Sequence, residues 1–189
     1  HVFNARKADS AFRAFAEKVF ARDQHTCQYC GFQAKLHQEV VNLDGNYRNN
    51  KMGNMATACP FCTQCQFLDA VGSVFGGGKL IYLPEMSQAE LNSFCHVLFC
   101  AMMNKTGYLD SAQTAYRNFR MRTQPIEKKY GQDTSSPNTL CQLMINSNAY
   151  DSKTQNKVFK SLRLLPSYAK FKKQLEDWAK AAVEELSQD

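Results

Sequence analysis

Long apolar runs are missing from this chain. The longest, Val97 to Met103, has seven residues, whereas a membrane-spanning helix needs about 20; no span is expected. No repeat of roughly 20–50 residues is visible, which argues against a solenoid or propeller. A strong charge of one sign is also missing: 23 Lys and Arg stand against 17 Asp and Glu, net +6. Split after Met86, the two halves carry +2 (9 basic, 7 acidic) and +4 (14 basic, 10 acidic). Such a mild excess suits nucleic acid, an anionic lipid, an acidic partner or simply solvated helix faces. There is no phosphate loop. In Gly72 to Lys79 the place five before the Gly of the Gly-Lys pair holds Ser73, and Leu80 follows the Lys where Ser or Thr is needed. No secretory leader is visible, and Asn104-Lys-Thr106 is the only glycosylation pattern. Disorder is excluded for most of the chain, since 12% of its 189 residues are aromatic and 44% hydrophobic.

What the chain does have is cysteine. Of eight, five fall in close clusters: Cys27-Gln-Tyr-Cys30, Cys59-Pro-Phe-Cys62 and the overlapping Cys62-Thr-Gln-Cys65. Two intervening residues let both thiols of a pair point at one ion, and two pairs supply the tetrahedral sulfur set that zinc prefers. The pairs lie 28 residues apart, room for a hairpin. Cys27, Cys30, Cys59 and Cys62 are the expected ligands of one structural Zn²⁺, because Pro60 suits a helix first turn that presents Cys59 and Cys62 together. Cys65 in place of Cys59 is the runner-up, and His37 is a further candidate. A redox role is disfavoured, because the βαβ setting of redox C-x-x-C motifs is absent. Cys95, Cys100 and Cys141 lie among apolar residues and read as core. Unpaired thiols beside a metal site imply a reducing compartment.

The pattern along the chain predicts an α+β fold, mainly α, in two parts: a zinc module over 1–86 with an N-terminal helix, and a helical domain over 87–189. Phe12, Phe15, Ala16, Val19 and Phe20 repeat with helical spacing, placing a helix at 9–22 capped by Asp9 or Ser10. Leu36 to Leu43 reads as a strand, Asp44-Gly-Asn46 as a turn, and 47–54 as a polar loop. Cys59 opens a helix expected to reach Gly72. Leu80 to Leu83 reads as a short strand. Ser87-Gln-Ala-Glu90 is a capping box opening a helix over 88–104, with Leu91, Phe94, Leu98 and Met102 on one face. Further helices are expected at 110–130, kinked or ended by Pro125, and at 138–147, 152–164 and 168–187. Tyr108, Tyr116, Tyr130, Tyr150 and Tyr168 are candidate interface anchors.

The run Cys27-x-x-Cys30, Leu36 to Leu43, Gly45, Asn54-Met-Ala-Thr-Ala-Cys59-x-x-Cys62 resembles the HNH nuclease module, of treble-clef type. In that family two C-x-x-C pairs hold a structural zinc. A His before an apolar pair is the general base, and a His after the last Cys helps hold a catalytic metal. Asn54 matches the central Asn. The base position before Val40-Val41, however, is Glu39, preceded by Gln38. His37, two residues earlier, is expected on the same strand face. The metal-binding position after Cys62 is Thr63. The resemblance therefore implies the scaffold without its catalytic residues, and no enzyme. The alternative, a metal-dependent nuclease or nucleic-acid binder, draws on Glu39 and on Arg117, Arg120, Arg122, Lys128 and Lys129.

Over nearly its whole length the chain also resembles a family of coupling-complex subunits of type IVB (Dot/Icm) secretion systems. The segments that carry this are Cys27 to Phe32, Val41-Asn-Leu-Asp-Gly-Asn-Tyr47, Gly77-Gly-Lys-Leu-Ile-Tyr-Leu-Pro-Glu85 and Leu91-Asn-Ser-Phe-Cys-His-Val-Leu-Phe-Cys100. That resemblance implies a non-enzymatic, zinc-containing adaptor. It would be cytoplasmic, associated with the inner-membrane secretion complex. Its expected partner is the C-terminal extension of the coupling ATPase DotL, in one assembly with IcmS, IcmW and LvgA. Nucleic acid is not among the expected partners, and any membrane contact is indirect, through the complex.

Overall fold

The computed structural model describes residues 2–147 and 158–186. The chain forms two compact units, His1–Gln66 and Phe67–Asp189. Among the described residues helices dominate, with two two-stranded antiparallel sheets, one in each unit. No described helix is long and apolar enough to cross a membrane.

In the first unit α1 (Val2–Ala5) and a 3₁₀ turn lead into α2 (Ser10–Arg22). Asp9 is the cap: its carboxylate accepts the Ala11 N–H at 2.9 Å, satisfying one of the donors a helix start leaves open. Ala16 and Val19 of α2 bury against Val40 of β1 (Glu39–Asn42) and Met55 of β2 (Met55–Ala58), rimmed by Phe12, Phe15 and Phe20. The strands pair with Val41 opposite Ala56. β1 is shorter than the expected Leu36–Leu43. His37 takes a left-handed φ of +64°, and the Gln38 amide donates back to the carbonyls of His25 and Phe32. His37 is thus outside the strand, not on a face shared with Glu39. α3 (Pro60–Gln64) follows β2. The expected run to Gly72 does not form: Phe67 leaves helical geometry (φ −139°, ψ 53°) and stacks on Phe75 at 4.3 Å, and only a 3₁₀ turn, Leu68–Ala70, follows.

In the second unit β3 (Gly78–Tyr82) pairs with β4 (Leu162–Pro166), Leu80 opposite Leu164. Of the helix expected at 152–164, residues 152–157 lie outside the described residues, and Leu162 onward is strand. Tertiary pairing decides this. The Gln88 side chain bonds both backbone groups of Leu164, donating to its carbonyl at 2.8 Å and accepting its N–H at 2.7 Å. A Cβ on Gly78 would lie 2.4 Å from the Leu165 carbonyl oxygen, so the close approach of the strands requires glycine there. The β3 segment, which the sequence places with the zinc module, therefore finds its strand partner in the second unit.

α4 (Gln88–Met103) carries the expected Ser87–Glu90 capping box and packs on α5 (Leu109–Met121), β4 and α8 (Lys172–Leu186). Its buried face is Leu91, Cys95, Leu98 and Phe99. Phe94, expected inward, is 40% exposed and meets Phe119 edge-on at 6.0 Å. Cys95 and Cys141 are buried, but Cys100 is exposed. Five residues carry it about 140° round the helix from Cys95. Pro125 sits in the first turn of α6 (Gln124–Tyr130), so 110–130 is two helices. α7 (Pro137–Asn146) and α8 follow the expected segments, with Phe171, Leu175 and Ala179 buried.

Candidate metal centre

Three local structures carry the clustered cysteines. Cys27 and Cys30 lie in a tight turn. The Cys27 N–H donates to the Phe32 carbonyl and the Gly31 N–H to the Cys27 carbonyl, each at 2.9 Å. Gly31 has φ +77°, a conformation glycine adopts without strain. Cys59 follows β2 as the N-cap of α3, Pro60 occupies the first turn as expected, and Cys62 lies within it. The Gln28 N–H donates to the Thr57 carbonyl at 2.9 Å, which ties the turn to β2 and brings the two pairs together.

The ligating atoms of Cys27, Cys30, Cys59 and Cys62 all lie within 4.8 Å of one another and could hold a metal ion. None of the eight cysteines is in a disulfide. The Cys30 and Cys59 sulfurs are 3.6 Å apart, far beyond a disulfide bond of about 2.05 Å. Four thiolates about 2.3 Å from a tetrahedral ion would have edges of about 3.8 Å, so the spacing suits an ion at the centre. Cys65 lies outside the group, its thiol donating to the Phe61 carbonyl at 3.2 Å; His37 is outside it too.

The electrostatics ask for a cation. Hydrogen bonds from the thiols of Cys30, Cys59 and Cys62 hold Cys27 far below the usual thiol range. Cys62 is pushed up, first by its bond with Cys27 and then with Cys30. Cys59 is pushed up chiefly by burial. Cys30 is held below the ordinary thiol value too, its bond with Cys27 opposing and those with Cys59 and Cys62 prevailing; two thiolates form easily and the other two thiols resist, because like charges this close cannot all ionise unaided. A divalent ion removes that conflict. Elsewhere, burial pushes the Cys95 thiol up to about 12, which keeps it inert.

Around this cluster the positions matched to HNH chemistry have other occupations. The Glu39 carboxylate pairs with the Lys7 ammonium at 2.8 Å. Thr63 is buried. Asn54 pins the loop: its amide donates to Asp44 Oδ1 and the Asn49 carbonyl, each at 2.9 Å, and its oxygen accepts the Asp44 N–H. Sequence reasoning missed two supports. Asn42 is buried; it donates to the carbonyls of Asn46 and Asn49 and accepts from Arg6. Asp23 accepts the Thr57 N–H at 2.9 Å beside the strand that delivers Cys59. Its partner lies 34 residues away, so no local pattern could have announced it. Of the five cations of the nucleic-acid alternative, Arg117 and Arg120 lie on α5, Lys128 and Lys129 on α6 and Arg122 just past the end of α5: Arg122 pairs with Glu85, Lys129 lies 5.1 Å from the Tyr130 ring centre, and Arg120 borders a groove. Of the candidate anchors, Tyr108 is exposed, Tyr116, Tyr130 and Tyr168 are half-buried, and Tyr150 lies outside the described residues.

No family model matches the chain. Over 187 residues, 98% of this chain and 87% of the relative, it is 54% identical to the type 4 apparatus protein DotN of Legionella pneumophila.

Proposed function

The chain belongs to the DotN (IcmJ) family of type 4 apparatus proteins, and from that premise we propose that it is a structural, non-enzymatic subunit of a type IVB secretion coupling complex. The observation that carries this is the 54% identity to that relative over 98% of the chain. In this reading one Zn²⁺ on Cys27, Cys30, Cys59 and Cys62 rivets an HNH-like, treble-clef-type module. The turn, hairpin and short helix that converge on the four sulfurs support it. Zinc is favoured over harder ions because four thiolates form a soft donor set. The ion supplies folding free energy, on the order of 10–16 kcal/mol in zinc-finger peptides.

The partner in this reading is the C-terminal extension of the coupling ATPase DotL, with IcmS, IcmW and LvgA in the same assembly, on the cytoplasmic side of the inner membrane. Co-expression with that extension tests it. A complex that co-migrates on a sizing column at moderate salt is the expected result, and two separate peaks would refute the partner. Nuclease chemistry, the alternative, needs a held catalytic ion and a base within hydrogen-bond reach. Glu39 is engaged by Lys7, and Thr63 offers no imidazole.

A further inference from the structure

The second unit contains a groove of about 470 Å³, within the roughly 300–1,000 Å³ of ligand sites. Its lining is mostly apolar, including Val71, Pro137 and Leu165. Three cations border it, Lys79, Arg120 and Lys170, and no acidic residue does. All three are exposed, and among the described residues none has a carboxylate partner. They come from β3, α5 and the turn before α8, three elements far apart in sequence that converge on one concavity. Unpaired charges of one sign around an apolar depression attract a ligand of opposite charge and an apolar centre.

We propose that this groove docks an acidic peptide segment of a partner protein, an apolar side chain seated on the floor and flanking carboxylates meeting Lys79, Arg120 and Lys170. Peptide is favoured over single-stranded nucleic acid because the groove's aromatic rings are built into its wall. Tyr116 and Tyr168 both stand edge-on to Phe99, at 5.1 and 5.3 Å. The Tyr116 hydroxyl donates to the Pro166 carbonyl and accepts the Tyr168 N–H. Rings held this way are poor stacking platforms for bases. The closed edges of the small sheet exclude strand addition as the docking mode: the Tyr82 and Leu80 N–H groups donate to Arg122 and Ser135 carbonyls, and Gln88 covers Leu164.

The assignment rests on the reading of the chain as a partner-holding subunit, but the two fail separately. The whole 189-residue chain is panned against a random displayed-peptide library, and the enriched peptides are labelled for anisotropy titration. Expected are sequences with Asp or Glu around a Leu or Phe. Each of Lys79→Glu, Arg120→Glu and Lys170→Glu should weaken their binding about tenfold or more, and added salt should weaken it too. Ala169→Trp, which fills the groove without altering charge, should abolish it. All four sites are exposed, so melting temperatures should stay unchanged. The proposal is overturned by no enrichment, by enriched peptides lacking acids, by affinities indifferent to these substitutions, or by oligothymidylate binding that depends on Arg120 where peptides fail. If peptide capture fails while the ATPase extension still co-migrates, the groove assignment falls alone. If the extension fails to bind, the partner reading falls while capture remains measurable.

Discussion

Single residues build the candidate metal centre at two distances. The four sulfurs form the inner set. Cys30→Ser should strip the metal and most of the soluble yield, because three thiolates hold a tetrahedral ion poorly; metal content by atomic emission is the readout, expected at about one zinc per wild-type chain. Cys65→Ser should keep the metal, since Cys65 bonds the Phe61 carbonyl instead. At the second distance, Asp23 accepts from Arg22 and from the Thr57 N–H. Burial opposes its ionisation, but these bonds prevail and hold the carboxyl below its ordinary value. Its contribution is therefore fully present above the ordinary carboxyl value of 3.8 and is lost as pH falls through the lower folded value. Asp23→Ala should cost about 1–3 kcal/mol in urea unfolding at neutral pH. The difference from wild type should shrink in acid.

At the scale of elements, side chains close what strands and helices leave open. The Gln88 amide stands in for a third strand at β4, bonding both backbone groups of Leu164. Gln88→Leu should leave those buried groups unmatched and cost about 1–3 kcal/mol. A thermal shift no larger than for an exposed helix substitution would refute that role. Ser87 caps the same helix, so Ser87→Ala should cost about 1 kcal/mol and Ser87→Gly only a few tenths. Helix starts were legible in the sequence because capping is local: Asp9, Ser87 and Pro60 all do what their positions announce. The strand Leu162–Pro166 was not, because so short a stretch, Leu-Arg-Leu-Leu-Pro, suits helix or strand equally and only Leu80 and Gln88 across the fold decide.

The whole molecule consists of two units stabilised by different means. The first buries a few large side chains, Phe3, Met55 and Phe61, beside Val19 and Val41, and a bound ion at its four sulfurs would add to its stability. The second buries more large side chains, among them Phe99, Phe171, Leu91 and Ile81. Chelation should accordingly speed hydrogen exchange through 2–66 while the cores of α4 and α8 stay protected. Uniform loss of protection over both units, or none, would contradict this division. Incubation with plasmid DNA and Mg²⁺, Mn²⁺ or Ni²⁺ should produce no metal-dependent cutting, and cutting lost in Glu39→Gln would reverse the non-enzymatic reading.

The spacing of Cys27, Cys30, Cys59 and Cys62 by itself marked out a sulfur cluster, since two-residue gaps constrain thiols within a single turn whatever surrounds them. Helix caps and the loop-pinning Asn54 were likewise set by neighbours close along the chain. Tertiary structure alone decided which strands pair, where β1 ends, which side of α4 is buried, and that Asp23 and Asn42 brace the hairpin. The strand pairings, the Asp23–Thr57 bond and the Arg6–Asn42 bond depend on groups well separated along the chain, whose arrival changes which of two near-equal local conformations has the lower free energy.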